Sequence, residues 1–410
     1  MKKTTLPFLL LAGTLFLTGC ASFGSSESAS ETEAAPVRDY VHGEDGYYNL
    51  TDEMPEFNMM GQNGGTCWLH AGAASMESAY FKQTGSYISI YPTDLLKIIY
   101  SDEADEGFFL QKGFDKYEFG GDQAFVMATL SRGFDGLTLD SSVRLDSSDR
   151  DAIKETLRNR GAVVIEIRSG DRDKEGFFGS YFTLNNPDAA FYDHDVVIVG
   201  WDDRFPKDYF KEPAAEDGAW IVYNSSYSSR YFQYISYCSS IGYAYSHSVT
   251  DRYSEVLSYD AGYEPDRCIR TGDSTQTANV FHEKGKLAAV GTYCADKQQN
   301  IRIEIYDSSF TELLYAQDAL LDYSGYHTVE LTEPVDVNDF AVVIKYEGEA
   351  PVEGESIDYG EINYVTCSEP GQSYVYLDGW KDLTDDGIRS MLNIDFAPNN
   401  CCIKALFAKE

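Results

Sequence analysis

The chain has 410 residues, 43% hydrophobic and 14% aromatic, which supports packed cores and excludes a disordered polypeptide. Its length makes two domains the natural division. A formal net charge of −35 excludes nucleic acid and anionic membrane surfaces as electrostatic partners, and 31 tyrosines point to strand-rich structure.

Lys2 and Lys3 precede an almost wholly apolar run from Leu6 to Thr18, closed by Gly19-Cys20. The run is too short to span a membrane comfortably. It resembles the bacterial lipoprotein signal. That resemblance implies removal of residues 1–19, diacylation of Cys20 and a lipid-anchored protein on the outer face of the cell membrane; a plain secretory signal is the alternative. Residues 20–38 are rich in Ser, Ala, Glu and Thr and read as a flexible tether, too short for a long inhibitory prosegment.

From Asp39 the chain enters a first domain. Gly61-Gln62-Asn63-Gly64-Gly65-Thr66-Cys67 is a glycine-rich loop running into a helix, since Leu69, Ala73, Met76 and Tyr80 recur at helical spacing. Further helices are expected over 91–100, 122–132 and 149–160, with Pro92 and Gly161 as start and stop signals. Ala162 to Ile167 reads as a buried strand. His194 opens a strand through Trp201 that is apolar enough to be buried on both faces. Gly218 to Tyr223 is another strand and delivers Asn224, and Tyr231 to Tyr237 reads as a further one.

The character changes near residue 256. Short alternating stretches follow at 287–293, 301–306, 341–346, 373–377 and 391–396, separated by turn clusters. That pattern predicts an antiparallel β-sandwich over 256–410, with 39–255 as the first domain.

The candidate chemistry is nucleophilic catalysis by cysteine. Cys67 at a helix N-terminus sits where unpaired N–H groups and the helix dipole favour thiolate. Such a nucleophile needs a base, a group that orients the base, and donors for the oxyanion. His194 on a rigid strand could be the base and Asn224 its orienting group. Gln62 and the Cys67 backbone N–H could meet the oxyanion. The order Cys, His, Asn, with the last two far downstream, matches that of papain-like proteases.

The residues themselves resemble that family. Gln62…Thr66-Cys67-Trp68-Leu69-His70-Ala71 is similar to the papain-family Gln…Cys-Trp-Ala-Phe block. The segments from His194 to Trp201 and from Gly218 to Ser225 resemble its His-Ala-Val…Val-Gly-Tyr and Trp…Val-Lys-Asn-Ser-Trp-Gly blocks. Gly120-Gly121 stands where the family has Asn-Gly-Gly, whose backbone lines the substrate cleft. The tail, through Thr277-Ala278-Asn279-Val280-Phe281 and Cys402 to Phe407, resembles the lectin-like sandwich that follows bacterial papain-like domains. The resemblance implies an α+β fold: a two-lobed papain-like domain, helical lobe plus β-barrel-like lobe, and then the sandwich. It also implies a cysteine peptidase with catalytic Cys67, His194, Asn224 and Gln62, substrate-lining Gly120 and Gly121, protein or peptide substrates, and no cofactor or metal. A glycan is the candidate ligand of the second domain.

Three departures stand out. Gln62 is one residue closer to Cys67 than is usual, so Asn63 or another donor is the alternative. Ser226 replaces the Trp that shields the Asn–His bond, which leaves Tyr227 or Trp220 to cover it. Tyr223 replaces the usual Lys. A catalytically degenerate surface binding protein is the competing reading, and an amidase acting on peptidoglycan cross-links is a third. His70, on the nucleophile's own helix, reads as core packing. His42, His247, His282 and His327 read as ordinary polar residues. The acidic segments beginning at Asp171, Asp202 and Asp382 read as solvated loops.

Overall fold

The computed structural model describes residues 45–57, 60–101, 106–171, 173–178, 180–226, 232–262 and 267–409. The signal segment, Cys20, the tether, His42 and Tyr227 lie outside them.

The Cys67–Thr84 helix is the axis of the first half. Small residues (Ala71, Gly72, Ala73, Ala74) let neighbouring elements close on it from every side, and it is buried almost continuously from Cys67 to Ala79. Gly85 ends it at φ 72°, where its N–H reaches the Phe81 carbonyl at 2.7 Å. The Pro92–Ile99 and Gln123–Leu130 helices lie against it. The Asp122 carboxylate caps the second by accepting from Ala124 N–H at 2.6 Å. The Arg150–Asn159 helix is capped in the same way by Asp149.

The second lobe is a mostly antiparallel sheet, with one parallel pair between Tyr181–Leu184 and Phe232–Ser236. Val163–Ile167 pairs with His194–Asp202, placing Ile167 opposite His194 and Glu166 opposite Asp195. Ala219–Tyr223 follows on the other side, and Phe232–Ser236 pairs with that. Every position of His194–Asp202 is buried, as its unbroken apolar run predicts. Two strands absent from the sequence reading, Thr138–Leu145 and Ala244–Thr250, pair with each other. Their serines obscure the apolar alternation, yet Ser142, Ser246, His247 and Ser248 are all buried.

In the C-terminal half two strands of 21 and 24 residues, Ser274–Cys294 and Ser324–Glu347, pair antiparallel along most of their length. Register breaks at Phe281/Lys284 and Leu287/Ala289 bend them. Sequence alone resolved only their apolar portions, because polar corners such as Glu283-Lys284-Gly285 read as turns. The strand expected over 391–396 is instead a helix, Ile388–Leu392, followed by a loop. Gly387 and Asn393, both left-handed, bracket that single turn.

The halves are joined by shared sheet and shared core. Gly107–Leu110 pairs with Ile362–Val365, and Thr138–Leu145 pairs with the start of Ser324–Glu347. Gly325, at φ 114°, permits the second join, since a Cβ there would stand 2.1 Å from the Ser142 carbonyl. Trp68 and Leu69 share one apolar cluster with Tyr293, Tyr326, Ile362 and Tyr364. Tyr253–Leu257 pairs with Ile403–Ala408, so the chain has already entered the sandwich sheet by residue 253.

Candidate active site

Cys67 is the first residue of the central helix and is 5% exposed. The loop before it is tight. Gly64 has φ 61°, and a Cβ on Gly65 would lie 2.9 Å from both the Glu118 carbonyl and Gly120 N. Gly65 N–H donates to the Tyr117 carbonyl at 2.6 Å. The double glycine therefore presses the loop onto residues 117–120. Gly121 has a different reason for lacking a side chain: a Cβ would fall 2.3 Å from the Trp68 indole. Gly120 offers its carbonyl to Tyr100 Oη at 2.8 Å.

His194 opens its strand and is 3% exposed. Its Nε2 lies 2.8 Å from Asn224 Oδ1. Asn224 is fixed in turn: its Nδ2 donates to Gln233 Oε1 at 2.9 Å, and Gln233 Nε2 donates to Glu175 Oε1 at 2.6 Å. These bonds set the amide orientation, so Oδ1 faces the imidazole and Nε2 carries the proton. Ser226 N–H also donates to Asn224 Oδ1, at 3.0 Å, and Ser226 Oγ stands 3.3 Å from His194 Nε2. An exposed serine thus occupies the flank of the His–Asn bond.

Gln62 ties the loop to this corner. Its Oε1 accepts from Ser225 Oγ at 2.8 Å and Ser226 Oγ at 3.1 Å, and its N–H donates to the Ser225 carbonyl at 2.9 Å. One Nε2–H goes to the Gly64 carbonyl at 2.8 Å; the other has no partner among the described residues.

A second network was not legible from the sequence. Gln123, fully buried, donates through Nε2 to the Trp68 carbonyl at 2.9 Å and to Asp195 Oδ2 at 2.7 Å. One amide therefore bridges the residue after Cys67 and the residue after His194. Its Oε1 accepts from His247 Nε2 at 2.9 Å, while His247 Nδ1 faces Ser142 Oγ at 2.8 Å. Burial lowers the His247 pKa to about 3, so the ring is neutral. His247 is thus the holder of the Gln123 amide, not an ordinary polar residue. Nothing in its sequence neighbourhood, Ala244 to Thr250, signals that partnership. His70 is 8% exposed, and burial lowers its pKa to about 4, against a hydrogen bond with the Met60 backbone.

Burial also raises two carboxyls beside His194: Asp195 to about 7 and Glu166 to about 8, the latter also through Asp195. Tyr243 Oη donates to both Asp195 oxygens at 2.8 Å.

Residues 260–407 match the family model described as a lectin-like domain. The chain also superposes on the clostridial cysteine protease Cwp84, solved as a cysteine-to-alanine variant after propeptide cleavage. The TM-score is 0.71 at 18% identity, over 89% of this chain and 99% of that one. A second structure holds the cysteine protease and lectin-like domains of Cwp84, a surface layer associated protein of Clostridium difficile. It matches at TM-score 0.71 and 18% identity, over 93% of this chain and 91% of that one. The fold is that of a papain-like cysteine peptidase with a lectin-like domain. At this identity the likeness speaks for the fold, and the residue roles rest on local geometry. Of the three departures from the papain pattern, Gln62 and Ser226 are linked directly by a hydrogen bond.

Proposed function

We propose that this protein is a cysteine peptidase that cleaves peptide bonds through Cys67, His194 and Asn224. The observation that carries the reading is the His194 Nε2–Asn224 Oδ1 bond, which leaves Nδ1 as the ring atom for the thiol proton. The bridges Gln123 and Gln62 bring the two strand ends and the helix start to one seam. The Cys67 thiolate attacks the scissile carbonyl while Nδ1 holds the proton. The imidazolium, oriented by Asn224, passes that proton to the leaving amine. A thioester remains, and water activated by the same imidazole releases the acid. The spare Nε2–H of Gln62 serves the oxyanion at the positive end of the helix. Gly120 and Gly121 are assigned to the substrate cleft on the strength of their place in the papain-like pattern.

Protein or peptide is the substrate class, no cofactor enters, and the site of action is the cell surface, with lipid attachment at Cys20. The surface association of Cwp84 supports that location. Cys67→Ala should reduce hydrolysis of a fluorogenic peptide by at least about 10⁴-fold and leave the fold intact by circular dichroism. Unchanged turnover refutes the mechanism. The exposed Ser226 beside the imidazole favours one competing reading, a surface binding protein with a lapsed site. Iodoacetamide or an epoxide inhibitor separates the two: an activated Cys67 is alkylated rapidly near neutral pH, and a lapsed one is not.

A further inference from the structure

Along Gln299–Asp307, Ile301, Ile303 and Ile305 enter the sandwich core, so Arg302, Glu304 and Tyr306 stand on the opposite face. Lys345 pairs with Arg302 on one side and with Gln276 on the other, extending a polar row across three strands. Two adjoining hollows share Lys345, one of about 270 Å³ and one of about 770 Å³. The smaller is bordered by an aromatic platform. The Trp380 ring stacks on Phe310 at 4.7 Å and meets Tyr376 edge-on at 5.4 Å. Tyr376 is 40% exposed. Phe310 is held at φ 61°, a conformation bulky side chains rarely adopt, by a turn in which Asp307 accepts from Thr311 N–H and Glu312 N–H.

We propose that this face is a binding groove for a neutral pyranose oligosaccharide, with Trp380, Tyr376 and Phe310 as its stacking platform. A pyranose ring has an apolar C–H face and a rim of hydroxyls. The negative face of an aromatic ring attracts the first, and fixed polar groups take the second. Those groups stand ready. Glu304 accepts from Lys345 at 2.9 Å, Arg302 at 3.0 Å and Tyr306 at 3.0 Å, which leaves a carboxylate lone pair for a hydroxyl. The Gln276 amide lines the hollow and has no hydrogen-bond partner among the described residues. Arg302 and Lys345 are paired with Asp318 and Glu304, and Asp273 and Glu347 add further carboxylates to the larger hollow, so the groove repels an anionic glycan and leaves a neutral one unopposed. All of these residues fall within the segment that matches the lectin-like family model.

The full chain supplies its own reporter. Trp68, Trp201 and Trp220 are each 1% exposed, so acrylamide quenching of tryptophan fluorescence reads Trp380. Chitotetraose, cellotetraose and mannotetraose are titrated to about 10 mM, a ceiling that captures weak lectin-type binding. The expected result is saturable protection of Trp380 by at least one of them. By calorimetry, Tyr376→Ala and Glu304→Gln should bind that sugar at least about tenfold more weakly with folding unchanged. Cys67→Ala should bind it as the native chain does, which separates this groove from the cleft. Absence of protection by all three sugars, or undiminished binding by both variants, overturns the proposal.

Discussion

His194 is held from two sides, and the two sides are built differently. On one, the Asp195–Gln123–His247–Ser142 chain is buried throughout, and every Gln123 hydrogen-bonding atom is used. On the other, Asn224–Gln233–Glu175 is buried at its far end but opens at Ser226 and Gln62, where water reaches the bonds. A dry bond is strong and costly to break, because the group left behind stays unsolvated. A wet bond can be replaced by water. The dry side therefore sets distance, by spanning the Cys67 helix and the His194 strand, while the wet side sets ring orientation.

The sharpest way to break this comparison is to remove one amide from each side. Gln123→Leu removes the amide that ties the Trp68 carbonyl to Asp195, leaves Tyr243 as the side-chain donor to that carboxylate, and frees the helix to shift against the strand. A displacement on the order of 1 Å costs about 10²-fold in rate. The expected result is a kcat loss of about that size with KM nearly unchanged, partly rescued by Gln123→Asn or Gln123→His. Asn224→Ala should cost less, about tenfold, because Ser226 and water can still reach Nε2. The order of the two kcat losses is the measurement; a larger loss for Asn224→Ala would reverse the assignment of roles.

The next effect is in stability. Asp195 and Glu166 face each other across a strand pair, with folded pKa values of about 7 and about 8. Carboxyls in an unfolded chain titrate near about 4. Between those limits the folded protein holds protons that the unfolded chain releases, so stability falls as pH rises from about 4 to about 8 and then levels off. Glu77, raised to about 7 by burial, and Glu353, raised to about 8, act in the same direction. Calorimetry should show a higher Tm at pH 5 than at pH 8. Glu166→Gln should flatten the upper part of that decline; an unaltered slope would mean that Glu166 ionises normally in the fold.

The same contrast explains what could be read from the sequence. Cys67, His194 and Asn224 stand at ends of strongly patterned elements, a small-residue helix and two apolar strands, so position and chemistry were visible together. The sandwich followed from periodicity and turn clusters, and the α+β class from the resemblance to papain-like domains. Gln123 and His247 were invisible because a buried amide and a buried imidazole look like any polar residue until their partners are known. Those partners lie 55 to 124 residues away. The strands at 138–145 and 244–250 are hidden for the same reason, since Ser142 finds His247 and Ser248 finds Asp140 only across the pair. The helix at 388–392 was misread because two left-handed caps, not apolar spacing, define it.

Ser226 gives the smallest and finest test. The papain pattern places a Trp there, whose indole would cover the His194–Asn224 bond. In this chain the serine instead accepts the edge of the imidazole N–H and donates to Gln62 Oε1. Ser226→Trp would exclude water and strengthen the Asn224 bond, but would remove one of the two hydroxyls that aim the Gln62 amide. The two consequences oppose each other, so the net change in kcat should be within about threefold. Their separation lies in the pH profile. A drier His194–Asn224 bond favours the imidazolium and should move the alkaline limb of kcat/KM upward. A loss confined to kcat at every pH, with the limb unmoved, would mean that the serine matters through Gln62 and that the imidazole is already adequately shielded.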